Sequence, residues 1–303
     1  MIDRIKFSIP GNYQFPNMVC KHRTKNFYTG YLEPIKLSQY FKYLKVEVSL
    51  PKLLNKQNIS PLNLKTVKES ILQLQDDLRI NLDKSIVTYI EVGTTVITEH
   101  DPGNYTKLFG QIPRLKRNRI DEIGSPETTR YFSPTGGYQF TGYNKLIEVM
   151  SKKNPMFIPV EYRDCNLLRL EYRIVNQGSI NRKFGSDFCV HDLYIPGVYR
   201  WLKSLFFEFY NRIPKTEKEV YLNCDRKLTS GTINDFEAEI LRQLHPDIHE
   251  SLISSARTNG FLDNQNFSRI KKMVKTDKPF YRTEPNILIA ELDSLIADCM
   301  NSD

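Results

Sequence analysis

Apolar and polar residues alternate along positions 2–9, which predicts a strand. The same alternation runs through residues 44–50, Leu-Lys-Val-Glu-Val-Ser-Leu, and stops at Pro51. A turn region follows from Asn55 to Pro61. The period then changes. Leu64, Val67, Ile71, Leu74 and Leu78 recur at steps of three and four, which paints one apolar stripe on a helix running from about Asn63, an N-cap residue, to about Ile80. Residues 85–98 are rich in β-branched side chains and predict a long strand, and residues 166–175 predict another. Residues 102–136 carry several Gly and Pro and predict irregular structure. Residues 137–150 open as a strand, Tyr-Gln-Phe-Thr-Gly-Tyr, and turn helical near Leu146.

After about residue 195 the texture is helical, with segments at 197–212, 232–244, 247–258, 264–276 and 285–299 separated by polar breaks such as Asn259-Gly260. There is no internal repeat and no low-complexity tract. The expectation is an α+β chain. An antiparallel sheet domain packed on helices, residues 1–195, precedes a mostly helical C-terminal region, residues 196–303.

One pattern recurs in the predicted sheet. Glu47 sits between Val46 and Val48, Glu91 between Ile90 and Val92, and Glu171 between Leu170 and Tyr172. Successive side chains on a strand point to opposite faces, so each carboxylate leaves the face of its apolar neighbours. Arg169 and Arg173 share the face of Glu171, and Tyr89 that of Glu91. This is either the wet face of a half-buried sheet or a set of hard oxygen ligands for Mg²⁺ or Mn²⁺. Glutamate is depleted in strands, which gives the second alternative its weight.

Tyr143 and Lys145 lie two apart and share a face if the strand continues that far. An ammonium beside a phenol favours the phenolate, and a phenolate is a nucleophile. The other alternative is a half-buried edge tyrosine, one of 17 in the chain. The histidines offer less. His245 and His249 are four apart, but Glu250 lies outside the pair and Pro246 interrupts the helix that a zinc motif needs. His22, His100 and His191 are isolated, there is no Gly-rich phosphate loop, and no His-apolar-His pair is present.

Composition narrows the partners. The 303 residues carry a net charge of +8 with a pI near 9.1, and 40% are hydrophobic, enough for a core. No stretch approaches the ~18 apolar residues of a membrane span, and the Met-Ile-Asp-Arg-Ile-Lys opening lacks a secretory h-region. The five cysteines are widely spaced with no CxxC pair, so the expectation is a reducing, cytoplasmic location without disulfides. The basic charge clusters at Arg114, Lys116, Arg117 and Arg119. A second cluster, Arg269, Lys271, Lys272, Lys275, Lys278 and Arg282, lies beside Phe267, Phe280 and Tyr281. Cations beside aromatic rings suit phosphate contact and base stacking; each cluster taken alone equally suits a solvated face.

Taken in order, the motifs resemble a known family. They are Val46-Glu47-Val48, then Lys52-Leu-Leu-Asn-Lys-Gln-Asn58, Tyr89-Ile-Glu91, Gly142-Tyr-Asn-Lys-Leu-Ile-Glu148, Leu168-Arg-Leu-Glu-Tyr-Arg173 and Lys183-Phe-Gly185. The set resembles the II/X family of phage and plasmid replication proteins, typified by the gene II protein of filamentous phages, over roughly residues 1–195. Its most specific element is Tyr-x-Lys-x-x-Glu followed by Leu-Arg-x-Glu-x-Arg. The resemblance implies a rolling-circle initiator, a metal-dependent endonuclease that nicks one strand of origin DNA and later closes it. Tyr143 would be the nucleophile that becomes joined to the 5′ phosphate, and Lys145 would assist it. Glu47, Glu91 and Glu171 would be the ligands of Mg²⁺ or Mn²⁺, with Glu148, Arg169 and Arg173 in support. Lys52 and the 114–119 cluster would contact DNA. The implied partners are origin DNA, single-stranded or supercoiled duplex, and a host helicase and polymerase, with no membrane. Glu91 stands where the filamentous-phage protein has Asp, and Lys56 where it has Gly. Two other classes fit the composition: a non-catalytic origin binder, and an RNA-binding or RNA-processing protein.

Overall fold

The computed structural model describes residues 1–24, 27–120, 128–151, 158–215, 218–222 and 281–301. The chain divides into two compact units, Met1–Thr216 with Ile287–Asp303, and Glu217–Asn286.

The first unit opens with β1 (Ile2–Pro10), then β2 (Val19–Arg23), β3 (Phe27–Leu32), β4 (Ile35–Tyr40) and β5 (Tyr43–Ser49). Pro51, whose fixed φ and missing N–H suit a first helical turn, converts the end of β5 into the short helix α1 (Leu50–Asn55). Lys56 ends α1 in the left-handed conformation, φ 58°, which costs an ordinary side chain and is glycine's natural place.

Helix α2 (Leu64–Leu78) starts where its cap predicts: the Asn63 side chain accepts from the Thr66 N–H at 2.9 Å. It buries Val67, Ile71, Leu74 and Leu78, the stripe read from the sequence. Next come β6 (Ile86–Thr98), α3 (Pro102–Lys107), β7 (Lys116–Ile120), β8 (Thr128–Phe132), β9 (Tyr138–Asn144) and α4 (Lys145–Met150). They are followed by β10 (Asn166–Ile174), α5 (Gln177–Phe184), α6 (Pro196–Asn211) and α7 (Ile287–Asn301). Residues 102–136, expected to be irregular, therefore contain a helix and two strands. Their polar, Arg- and Thr-rich strands lack the apolar alternation that identifies a strand, because they lie at the end of the sheet.

Ten strands form one antiparallel sheet in the order β2-β3-β4-β5-β1-β6-β10-β9-β8-β7. Ile5, Phe7, Val46, Val48, Ile90, Val92, Leu168 and Leu170 bury on one face. Helix α6 lays Phe206 and Phe209 on that face, and the rings of Phe209 and Phe140 stack at 4.9 Å. Each such ring withdrawn from water contributes about 1.5–3 kcal/mol. The division expected at 195/196 coincides with the start of α6, whereas the two compact units part at 216/217, and both α6 and α7 belong to the sheet's unit. Aromatic residues at 206, 207 and 209 serve the sheet core, not a separate helical domain. No helix among the described residues is long and apolar enough to cross a membrane.

In the second unit, β11 (Lys218–Leu222) pairs antiparallel with β12 (Tyr281–Pro285). The helices predicted at 232–244, 247–258 and 264–276 lie outside the described residues, as do Arg269, Lys271, Lys272, Lys275 and Lys278.

Candidate functional site: a buried carboxylate–arginine cluster beside a tyrosine

Three adjacent strands build the site. Arg169, Glu171 and Arg173 alternate along one face of β10. Their cross-strand partners on β6 are Thr95, Gly93 and Glu91, and on β9 Tyr143, Thr141 and Gln139. All of these side chains therefore share the face opposite the core. The Tyr143 hydroxyl donates to Glu171 Oε1 at 2.7 Å. Arg169 donates from Nε to the same oxygen at 3.2 Å, from Nη1 to Thr95 at 3.1 Å, and from Nη2 to Asp3. Arg173 bridges Glu91, at 2.9 Å from Nε, and Glu171. Tyr89 donates to Glu91 Oε2 at 2.8 Å.

Asp3 enters this group by a break in the strand. Ile2 pairs with Val92 and Arg4 with Glu91, so β1 carries one extra residue at that point. A bulge of this kind re-aims the inserted side chain. Asp3 accepts from Ser49 Oγ at 2.6 Å and from Asn58 Nδ2 at 3.2 Å as well as from Arg169. Asp3, Glu91 and Glu171 each offer a carboxylate oxygen, and these oxygens lie within 4.8 Å of one another.

Gly93 makes the arrangement possible. A Cβ there would lie 2.7 Å from the Leu170 carbonyl oxygen and 3.1 Å from both Arg169 Nη2 and Glu171 Cγ. The Arg169 guanidinium thus passes over β6 through the space a side chain would fill. Gly93→Ala is expected to lower the unfolding free energy by about 1–3 kcal/mol, the usual cost of overpacking. Urea denaturation reads it, and an unchanged midpoint would show that the strand gives way freely.

The electrostatics follow from burial. Asp3, Glu91, Arg169 and Glu171 are each at most 2% exposed. Burial alone would raise the pKa of Glu171, but Arg173 and Arg169 hold it down to about 2. Burial would likewise raise Asp3, and Arg169 holds it below the usual range. Glu91 receives the surplus: burial, then Glu171 and Asp3, push it up to about 7. Burial, and next the Glu171 charge, raise Tyr143 well above the ordinary phenol value. Burial and Arg169 lower Lys145.

The donor set fits a divalent cation. Three carboxylates meet two guanidinium groups within hydrogen-bond reach, the oxygens are hard donors, and their mutual distances suit ligation of one ion at roughly 2.0–2.6 Å. Glu91, the carboxylate that burial leaves short of positive charge, is where an added cation relieves most.

The structure sorts the residues singled out in the sequence. It brings together Glu91, Glu171, Arg169, Arg173 and Tyr143. Lys145 is placed by another route than expected. The strand ends at Asn144, whose side chain caps α4 by accepting from the Ile147 N–H at 3.2 Å, and Lys145 is the first helical residue. Its ammonium lies 3.0 Å from Glu148 and 5.9 Å from the Tyr143 ring centroid. Glu47 stands apart from the cluster. Its carboxylate meets Lys6 at 3.1 Å, Arg4 at 3.7 Å and Lys36 at 3.9 Å, and the carboxylate grouped with Glu91 and Glu171 is that of Asp3. Tyr143 itself is buried, at 8% exposed.

Lys52 lies away from this face and lines a separate cavity of about 430 Å³ with Glu33, Lys56, Gln73 and Asp77. Arg114 precedes β7 with φ 65°. Strand alternation puts Lys116 on the Tyr143 face and Arg117 on the other, next to Tyr131. Arg119, also on β7, is the cross-strand partner of Thr129 on β8.

The sequence matches no protein-family model and no curated protein. Among solved structures, the chain is similar to a rolling-circle replication initiator protein from Geobacillus stearothermophilus, with 11% sequence identity and a TM-score of 0.39 over 68% of this chain and 83% of that chain.

Proposed function

We propose that the protein is a metal-dependent enzyme that nicks and recloses single DNA strands through a 5′-phosphotyrosyl link at Tyr143, and that it serves rolling-circle replication initiation. The observation that carries this reading is the hydrogen bond from the Tyr143 hydroxyl to Glu171, at 2.7 Å, inside a buried cluster of three carboxylates and two arginines. The Tyr-x-Lys-x-x-Glu and Leu-Arg-x-Glu-x-Arg motifs supply Tyr143, Glu171 and both arginines, Asp3 and Glu91 come from β1 and β6, and the basic charge suits a polyphosphate partner.

The chain's own groups divide the work. Glu171, ionised at neutral pH, orients the phenol by accepting its hydrogen bond. Arg169, and Lys145 from 5.9 Å off the ring centroid, stabilise the phenolate as the proton leaves, acting against the rise that burial and Glu171 impose on Tyr143. The Tyr143 oxygen bonds to phosphorus as its proton leaves to solvent by way of the Glu171 hydrogen bond, the bond from phosphorus to the 3′ oxygen breaks, and that oxygen takes up a proton from solvent and leaves as a 3′ hydroxyl. The reverse attack restores the strand, because the phosphotyrosyl ester conserves the bond. Asp3, Glu91 and Glu171 would hold a Mg²⁺ or Mn²⁺ ion, which when bound supplies charge neutralisation at the scissile phosphate.

The full chain incubated with supercoiled origin DNA and Mg²⁺ or Mn²⁺ should convert it to the relaxed form. An SDS-resistant adduct should form whose linked peptide contains Tyr143, as read by mass spectrometry. Salt-sensitive binding without scission under either ion would support a non-catalytic origin binder instead. Scission of RNA in preference to DNA would support an RNA-processing enzyme.

A further inference from the structure

Beside the carboxylate cluster the polar face of the sheet dips into a cavity of about 880 Å³, lined among others by Lys6, Lys36, Lys42, Lys45, Tyr43 and Tyr89. Among the described residues, the charged side chains in its lining are those four lysines and one carboxylate, Glu47. The lysines are not folded away. Lys42 and Lys45 are exposed and Lys6 and Lys36 half-exposed. Such a wall attracts a polyanion.

Aromatic rings alternate with these cations. Tyr40 and Tyr43 flank a two-residue hairpin turn between β4 and β5, and their rings stack at 4.7 Å and 18°. The Lys45 ammonium lies 5.4 and 5.7 Å from the two ring centroids, and the Lys6 ammonium 4.9 Å from that of Tyr89. Phe41, in the turn, is 69% exposed, a large apolar ring held out at the hairpin tip. Phosphate-sized charges at one height and flat ring faces at another are what an unpaired strand offers and an acidic peptide does not. The groove also has a direction. Tyr89 lines it and donates to Glu91, so one end borders the cluster that holds Tyr143.

We infer that this groove is a single-stranded DNA subsite that seats the strand flanking the phosphodiester at Tyr143, with Lys6, Lys36, Lys42 and Lys45 on the backbone and the Tyr40–Tyr43 pair and Phe41 as base platforms. Glu47 then has a definite part. Held by Lys6, Arg4 and Lys36, its carboxylate is a resident anion that an incoming phosphate displaces. It keeps the lysines extended and weakens binding by competing for them.

The inference rests on the nicking reading for the kind of strand, but its test needs no chemistry. The full chain is titrated into a fluorescent single-stranded oligonucleotide in EDTA over a range of salt, and anisotropy gives the affinity. The double variant Lys36→Gln, Lys45→Gln should bind roughly tenfold more weakly at low salt. Its dependence of log affinity on log salt should flatten by about 1.4, since each phosphate contact to a single strand contributes about 0.7. Glu47→Gln should bind more tightly than the unaltered protein, a result that no ligand role for Glu47 predicts. Wild-type circular dichroism and melting for both variants show that the fold is kept. Unchanged affinity and slope in the double variant, or weaker binding in Glu47→Gln, would overturn the assignment. So would equal affinity for polyglutamate, or tighter binding of RNA or duplex of the same sequence. A chain that binds as expected but forms no adduct with Mg²⁺ or Mn²⁺ keeps the groove and loses the nicking chemistry.

Discussion

Tyr143→Phe is expected to abolish the SDS-resistant protein–DNA adduct and to cut nicking by at least ~1000-fold, the scale on which enzymes lose rate with their nucleophile. The substitution removes one oxygen and leaves the ring in its place on β9, opposite Arg169 and Thr128. The hydrogen bond lost to Glu171 costs about 1 kcal/mol of stability. Glu171 is not left unsatisfied, because Arg169 and Arg173 still donate to it. The variant should therefore melt near the unaltered protein and bind single-stranded DNA with unchanged affinity, which separates lost chemistry from lost structure. An adduct that persists would move the nucleophile elsewhere. Tyr89 is then the residue to map, since its hydroxyl makes the matching bond to Glu91 at 2.8 Å.

What could be read from the sequence depended on period. Strand β5 and helix α2 carry an alternation and a stripe because one face of each is buried, β6 is marked by its β-branched residues, and Leu168-Arg-Leu-Glu-Tyr-Arg-Ile in β10 alternates although both its faces are buried; all four lie where the sequence predicts. Residues 19–40 hold β2, β3 and β4, which the pattern did not reveal. Half-exposed strands such as Phe27–Leu32, with intermediate burial on both faces, leave no contrast to detect. The site was legible in the same measure. Glu91, Glu171, Arg169 and Arg173 alternate on buried strands, so counting by twos places them on one face. Asp3 was missed because its strand breaks that count. Apolar Ile2 and Ile5 stand three apart, and that interval was the available sign that one residue between them is extra. Glu47 shows where alternation stops informing. It occupies the same face as Glu91, but β1 intervenes between their strands, and its Arg4 and Lys6 satisfy the carboxylate where it stands. A shared face is a two-dimensional fact, and alternation says nothing about distance across strands.

Arg169→Met is expected to have the largest effect on stability, about 3–5 kcal/mol, the usual consequence of removing one partner from a buried ionic group. Arg169 is 1% exposed and its guanidinium donates to Asp3, Glu171 and Thr95 at once. Without it, Asp3 loses the charge that keeps it ionised, and Glu171 keeps only Arg173 and the Tyr143 hydroxyl as hydrogen-bond donors. The methionine fills the stem's volume and cannot repay the desolvation. The cost should be largely relieved by the companion change Asp3→Asn, which removes the charge left stranded, so the two substitutions should be strongly non-additive in a double-mutant cycle. Urea denaturation of the four proteins reads the coupling. A loss below ~1 kcal/mol for Arg169→Met, or simple additivity with Asp3→Asn, would mean that the carboxylates do not depend on this guanidinium. If coupling is found, a divalent ion added to the Arg169→Met protein should restore part of the lost stability, because it supplies the positive charge that the three carboxylates then lack.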